Sequence, residues 1–285
     1  MKKPLLSVVM ITYNHENYIK QAIESVLMQE CDFDYELIVS NDKSPDDSDV
    51  IIEKMISEHP KANKIKYHLQ ENNLGMMPNF IFTLAQAKSK YIALCEGDDY
   101  WIDPLKLQKQ VDFLEANNDY ALCGHLVDVL DFDNSLKKRK ANNLQNEIIK
   151  QSDLPTIHIP TLSAVFRNCL SIADLQYFRK VPYGDLILFA LLGNYGKIIV
   201  MHEYMATYRQ QLLGVWSGAS EVKKLKNGIV TFSVASQIVS NDLEYIIRIY
   251  RMSKAGLVTS IKTFDFNYFN FFLKTFFKFG LKKRF

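Results

Sequence analysis

Over the first hundred residues the chain alternates between two spacings of apolar side chains. Leu5 to Thr12 is a strand-like apolar run, whereas Ile19, Ala22, Ile23, Val26 and Leu27 recur three and four residues apart. The first pattern predicts a strand buried on both faces, and the second a helix over 18–28. Residues 35–39 read as a second strand. Ser44-Pro45-Asp46-Asp47 follows as a helix start, with Ser44 as cap, Pro45 at the first helical position and two acids in the first turn. Val50, Ile51, Met55 and Ile56 continue that helix. Strands at 65–69 and 91–95 bracket a helix over 78–87. Strand–helix repetition at this spacing predicts an α/β fold with a doubly wound, mostly parallel sheet.

The later half predicts a helix over 104–117, a strand over 121–130, a polar hairpin or loop over 131–152 and a strand over 161–166. A helix over 185–192, ended by Gly193-Asn194, precedes short strands at 197–200 and 205–208. From about residue 221 the chain reads as helical. The tail is distinctive. Ten aromatic residues fall between Phe264 and Phe285, and Lys274, Lys278, Lys282, Lys283 and Arg284 face a single acid, Asp265. Phe269, Phe272, Phe276 and Phe279 mark one face of a basic amphipathic helix. Two occupants suit that face, an anionic membrane surface or protein, either the sheet domain or a second subunit.

Hydrophobic residues make up 48% and charged residues 23%, a globular composition that excludes disorder. A formal charge of +2 excludes a general nucleic-acid binder. Cys31, Cys95, Cys123 and Cys169 are scattered, without metal-binding spacing, and read as reduced buried thiols. The N-terminal apolar run is short, meets Tyr13-Asn14-His15-Glu16 at once and lacks a small-residue cleavage site, so it reads as a strand and not a leader. No stretch approaches the ~18–20 apolar residues of a spanning helix.

In open α/β sheets ligands bind beyond the carboxyl ends of the strands. Three predicted strand ends carry polar clusters: Thr12-Tyr13-Asn14, Asn41-Asp42 and Glu96-Gly97-Asp98-Asp99. The first glycine is Gly75, so neither a G-x-G-x-x-G turn nor a Walker loop can follow the first strand. This weighs against dinucleotide oxidoreductases, P-loop enzymes and nucleotidyltransferases. Carboxylates repel a diphosphate but hold it through a hard divalent cation, Mn2+ or Mg2+. Tyr13 offers a ring face for a base, and Asp42 an acceptor for a base N–H.

The strings LLSVVMITYNHENYI, ELIVSNDKSPDDS, NNLGMMPNF and YIALCEGDDYWIDPLKLQKQ resemble, in order, the family 2 glycosyltransferases of GT-A fold. A thinner match runs through GDLILFALL and YRQQLLGVWSG to about residue 220. The resemblance implies a GT-A domain over 1–220, with a nucleotide-sugar half at 1–100 and an acceptor half at 101–220, followed by a C-terminal helical extension over 221–285. It implies nucleotide binding, usually of uridine, by Thr12, Tyr13, Asn14, Asp42, Gly75, Asn79 and Glu96. It makes Asp98 the metal ligand and Asp185 the general base, and puts Asp99, Trp101 and Trp216 on the acceptor side. Glu96 replaces the first acid of the family's D-x-D motif, Gly184-Asp185 replaces an acidic pair, and Gln211 stands where a C-terminal His is expected.

The implied reaction is inverting transfer from a nucleoside diphosphate sugar to a hydroxyl of a glycan or lipid-linked acceptor in bacterial surface polysaccharide assembly. The implied location is cytoplasmic, with peripheral contact at the inner membrane, and a homodimer is left open. A non-catalytic nucleotide- or glycan-binding relative is the rival reading, favoured by Glu96 and Gln211. His125 and His158 read as structural, Trp216 equally as sugar platform or core residue, and Asp185 has a helix cap as its alternative.

Overall fold

The computed structural model describes residues 3–133, 135–138, 147–211, 218–240 and 242–282. Its first half realises the alternation as β1 (Leu6–Thr12), α1 (Ile19–Leu27), β2 (Tyr35–Asn41), α2 (Ser48–Glu58), β3 (Ile65–Leu69), α3 (Met76–Gln86) and β4 (Tyr91–Leu94). β5 (Tyr100–Trp101), α4 (Lys106–Ala116), β6 (Tyr120–Leu130), β7 (Leu136–Lys138), β8 (Glu147–Ile149) and β9 (Val165–Arg167) follow. Then come α5 (Ile172–Phe178), α6 (Asp185–Leu192), β10 (Lys197–Arg209), α7 (Glu221–Ile238), α8 (Leu243–Thr263) and α9 (Phe269–Lys282).

The strands run in the order β3-β2-β1-β4-β9-β6-β10-β5, with β7 beside β6 and β8 beside β10. β1, β2, β3 and β4 are mutually parallel, as are β6 and β10, while β9 and β5 run antiparallel to their neighbours. Leu6, Val8 and Met10 of β1 and Leu37 and Val39 of β2 are fully buried in one cluster with Ile19, Ile23 and Val26 of α1 and Leu107 and Val111 of α4. Each such side chain contributes roughly 1.5–3 kcal/mol by leaving water. α3 covers β1 and β2.

Four local readings change. Ser44 does not cap a helix: it donates to Asn41 Oδ1 and accepts from Asn14 N–H, and α2 starts later, after Asp47. A side chain committed to a neighbouring loop cannot also satisfy the helix's first amides. Thr161–Ser163 forms a 3-10 turn, and the strand is the short antiparallel β9. The two short strands at 197–208 are one bulged strand, whose register against β6 shifts between Met201 and Tyr204 and again before Ala206. α5 and β5, which carry no clear periodicity, were not anticipated; Ser171 and Asp174 cap α5 reciprocally.

The chain divides into two compact units interleaved in sequence. One comprises 1–148, 159–169 and 195–210, the other 149–158, 170–194 and 211–285. Segments 149–158 and 170–194 therefore cluster with the C-terminal helices. In this second unit α7, α8 and α9 enclose Val222, Ile229, Ile246, Ile249, Phe272 and Phe279. The aromatic tail thus splits: Phe272 and Phe279 are core, Phe276 stacks on Tyr250 at 4.8 Å, and Phe264 and Phe277 remain 85% and 60% exposed. Among the described residues no helix is long and apolar enough to cross a membrane.

Lys106 is fully buried in the first unit. Its ammonium lies 4.0 Å from the Trp101 ring centroid and donates to Gln110 Oε1 at 2.8 Å, contacts that offset part of its lost hydration. Burial lowers its pKa to about 7, against the smaller opposing influence of Cys95, Cys123 and Asp103. An unfolded lysine keeps its proton to about 10.4, so above pH 7 the unfolded chain binds more protons than the folded one. Stability should therefore rise from pH 7 to about 8.5, where free thiols begin to ionise. The Tm of Lys106→Met measured across that window should lack this rise; an unchanged slope contradicts the assignment.

Candidate functional site

Parallel pairing brings the polar strand ends to one edge. Thr12 stands opposite Asn41 in the β1–β2 register, and the ladder continues beyond the strands: Asp42 N–H donates to Thr12 O (3.0 Å) and Gly97 N–H to Ile11 O (3.0 Å). Thr12, Asp42 and Gly97 therefore lie side by side. The loop after β1 is stitched to the loop after β2 by Asn14 N–H to Ser44 Oγ (3.0 Å) and His15 N–H to Ser48 Oγ (3.1 Å). Glu16 N–H donates to Asp46 Oδ2, and Asp47 N–H returns a bond to Glu16 Oε2. Asn14 and Lys43 hold φ of 61° and 58°, a left-handed backbone that these bonds maintain.

The buried Asp42 carboxylate accepts from Leu74 N–H (2.7 Å) and Gly75 N–H (2.9 Å), clamping the turn before α3. Gly75 has φ +87°, a conformation that L side chains rarely adopt. Asn79 is buried beneath, accepting from Ser40 Oγ and Gln70 Nε2 and donating to Ser40 O. It supports the edge from below. Tyr13, by contrast, is 44% exposed.

The 96–99 turn gathers three carboxylates. Asp99 is buried and accepts from Arg209 N–H at 2.8 Å; burial first, then the charges of Asp98 and Glu96, raises its pKa well above the usual carboxylate range. Asp98 is half-buried, with Oδ2 3.9 Å from His15 Nε2, and the other ring nitrogen of His15 lies 3.2 Å from Thr12 Oγ1. The Arg209 guanidinium braces the turn. It donates to Asp98 O (2.8 Å) and to Gln21 Oε1, and lies over the rings of Tyr18 and Tyr100 at 5.1 and 4.4 Å. Glu96 is half-buried in the same turn. Among the described residues no group of three or more His, Cys, Asp or Glu side chains converges as a cation site. The acidic corner is a partial donor set. Such a set suits a cation whose remaining positions are filled by diphosphate oxygens and water.

The other expected residues fall elsewhere. Trp101 lies in the core, 1% exposed, its indole N–H donating to Leu162 O at 3.0 Å, so its ring is not an open stacking surface. His125 is buried with Nδ1 2.7 Å from Leu126 O, and burial followed by Lys106 pushes its pKa well below the ordinary value, as befits a core histidine. His158 is exposed and Gln211 half-buried. Trp216 lies outside the described residues. In the second unit Asp185 opens α6, Leu186 N–H donates to its Oδ1 at 2.8 Å, and Tyr183 accepts from Asn227.

Sequence reading passed over His15, Gln21 and Arg209. His15 directly follows the Thr12-Tyr13-Asn14 cluster and was within reach of pattern alone. Arg209 sits 110 residues from Asp99, and only the β5–β10 pairing brings it near.

Residues 7–172 match the family model described as glycosyl transferase family 2. The chain belongs to this family. An uncharacterized protein of Mycobacterium tuberculosis is 33% identical over 216 residues, 75% of this chain and 61% of its own length. The chain therefore spans about three fifths of that relative. An uncharacterized glycosyltransferase of Methanocaldococcus jannaschii is 30% identical, covering 73% of this chain and 72% of its own. Among solved structures, S. aureus TarS 1-349 in complex with UDP-GlcNAc superposes with TM-score 0.64 at 16% identity, over 90% of this chain and 74% of that one. The mannosyltransferase PcManGT from Pyrobaculum calidifontis, in complex with GDP-Man and Mn2+, gives 0.59 at 13%, over 92% and 76%. At these identities the likeness shows the fold, that of the GT-A glycosyltransferases.

In this family 2 chain the approach of the 96–99 turn to β1 depends on one missing methyl. A Cβ on Gly97 would lie 2.7 Å from Thr12 Oγ1, 2.8 Å from Thr12 Cβ and 3.0 Å from His15 Nδ1. Thr12 is buried and β-branched and cannot step aside cheaply. Gly97→Ala should cost about 1–3 kcal/mol of stability, read as a lowered Tm in thermal melts; an unchanged Tm shows that the turn yields without cost.

Proposed function

We propose that the chain is an inverting glycosyltransferase that moves a sugar from a nucleoside diphosphate sugar, UDP-linked in our reading, to a hydroxyl of a glycan or lipid-linked acceptor. The observation that carries this reading is the alignment of Thr12, Asp42 and the 96–99 turn along one sheet edge in a family 2 chain. Tyr13 stacks on the base, and Asp42, directly or through the turn it clamps, sets the base's position. Asp98 holds a divalent cation, Mn2+ or Mg2+, together with the diphosphate. That cation, when bound, supplies positive charge against the charge developing on the departing diphosphate. Asp185 acts as general base: it takes the proton of the acceptor hydroxyl as that oxygen attacks the anomeric carbon. In the same step the bond from this carbon to the diphosphate oxygen breaks, its electron pair leaving with the diphosphate, and the configuration inverts. Fixed orientation of both substrates supplies much of the remaining acceleration.

The exposed side of the C-terminal helices supports a second part of the reading. Phe264, Phe266 and Phe277 are exposed among Lys262, Lys274 and Lys278, a combination suited to peripheral contact with an anionic membrane.

Two variants test the chemistry in an assay of nucleoside diphosphate release with Mn2+ and a panel of donors. Asp98→Asn should abolish metal-dependent donor binding. Asp185→Asn should leave donor binding intact while turnover falls by about 10²–10⁴-fold; undiminished turnover in either removes its assigned role. Donor binding without turnover for every donor and acceptor offered would favour a non-catalytic relative. Replacing Phe264, Phe266 and Phe277 together by Ser spares the core residues Phe272 and Phe279. It should release the protein from anionic vesicles in a sedimentation assay, and equal sedimentation of the parent and the triple variant rejects the membrane contact.

A further inference from the structure

We infer that His15 is the second protein ligand of the cation, supplying a nitrogen donor beside the Asp98 carboxylate. This deepens the proposed function and rests on its placement of a cation at Asp98. Two donors bound to one ion at about 2.1 Å each can be no more than about 4.2 Å apart. His15 Nε2 and Asp98 Oδ2 stand 3.9 Å apart, within that reach. That separation is beyond hydrogen-bond length and is that of a loose ion pair.

Three features hold the imidazole in that attitude. Its backbone N–H is tied to Ser48 Oγ, next to the left-handed Asn14. Its Nδ1 lies 3.2 Å from Thr12 Oγ1, and in the tautomer whose Nδ1–H donates to that hydroxyl Nε2 is left as the donor atom, as outer hydrogen bonds do for metal-bound histidines. The ring edge fits over Gly97, where a Cβ would come within 3.0 Å of Nδ1. Thr12, His15, Gly97 and Asp98 thus form one assembly between the end of β1 and the turn after β4. The guanidinium of Arg209 reaches that turn through the Asp98 backbone carbonyl. A nitrogen donor also bears on metal choice: imidazole suits transition ions, whereas Mg2+ prefers oxygen. The site should therefore favour Mn2+ over Mg2+ through His15.

Electron spin-echo spectroscopy of the full chain with Mn2+ and UDP, or GDP if that nucleotide binds, reads the ligand directly. A 14N modulation that becomes a 15N signal on histidine labelling, and vanishes in His15→Gln, is expected. His15→Gln should also lower Mn2+ affinity at least about tenfold, the scale on which even outer partners of a bound metal act, with a smaller effect on Mg2+. Absence of histidine coupling in the parent protein, while Asp98→Asn abolishes Mn2+ binding, overturns His15 alone. Undiminished Mn2+ binding in Asp98→Asn, or no Mn2+–nucleotide complex at all, brings down the proposed function itself. Because the spectroscopic reading is made on the parent protein, a poorly folded variant does not blunt it.

Discussion

The parallel pairing of β1 between β2 and β4 is the constraint on which the rest of the molecule depends. All three strands are nearly fully buried, and sequence-distant strands run in one direction, so their carboxyl ends meet at a single edge. Chain segments that leave a buried parallel sheet still carry amides needing partners. Here Asp42 and Gly97 donate theirs back to the end of β1. The edge is therefore an extension of the sheet ladder, with polar side chains where apolar ones stood a residue or two before.

That continuity explains why much of the polar inventory serves the protein before it serves a ligand. The carboxylate of Asp42 holds the Leu74–Gly75 turn, that of Asp99 holds the end of β10, and Ser44, Ser48, Asp46 and Glu16 bind two loops together. The geometry of the edge is thus fixed by the protein's own bonds, and in the proposed function less ordering entropy is lost when the donor arrives. Asp98 differs from its neighbour Asp99. Half-buried and beside a histidine, it stays accessible to the edge, whereas Asp99 is sealed beneath Arg209.

The C-terminal helices obey a different logic. Their aromatic residues are too many for one face, and burial selects among them: Phe272 and Phe279 fill the space between α7, α8 and α9, while Phe277, between them in sequence, points outward. Period alone marked Phe269, Phe272, Phe276 and Phe279 as one face. Only the neighbouring helices could decide what that face would meet.

Most of the sheet was legible because the physics of a doubly buried strand and of an amphipathic helix is local: the spacing of apolar residues within ten positions suffices. The three strand-end clusters and the excluded phosphate loops were legible for the same reason, since Gly75 and the Glu96–Asp99 turn are statements about short segments. Ser44 was misread because its partner, Asn14, lies thirty residues away; a cap and a bridge look alike until the fold chooses. Trp101, which the resemblance puts on the acceptor side, lies in the core with its indole N–H on Leu162 O and its ring against the Lys106 ammonium. Arg209 and the facing of His15 toward Asp98 depend on strand order, which follows from the total burial of many distant residues at once. Sequence by itself determined the parallel strands of the first half and which polar groups lie at their ends; tertiary structure decided the later strands and which of those groups face each other, because only closure of the sheet sets distances between residues far apart in the chain.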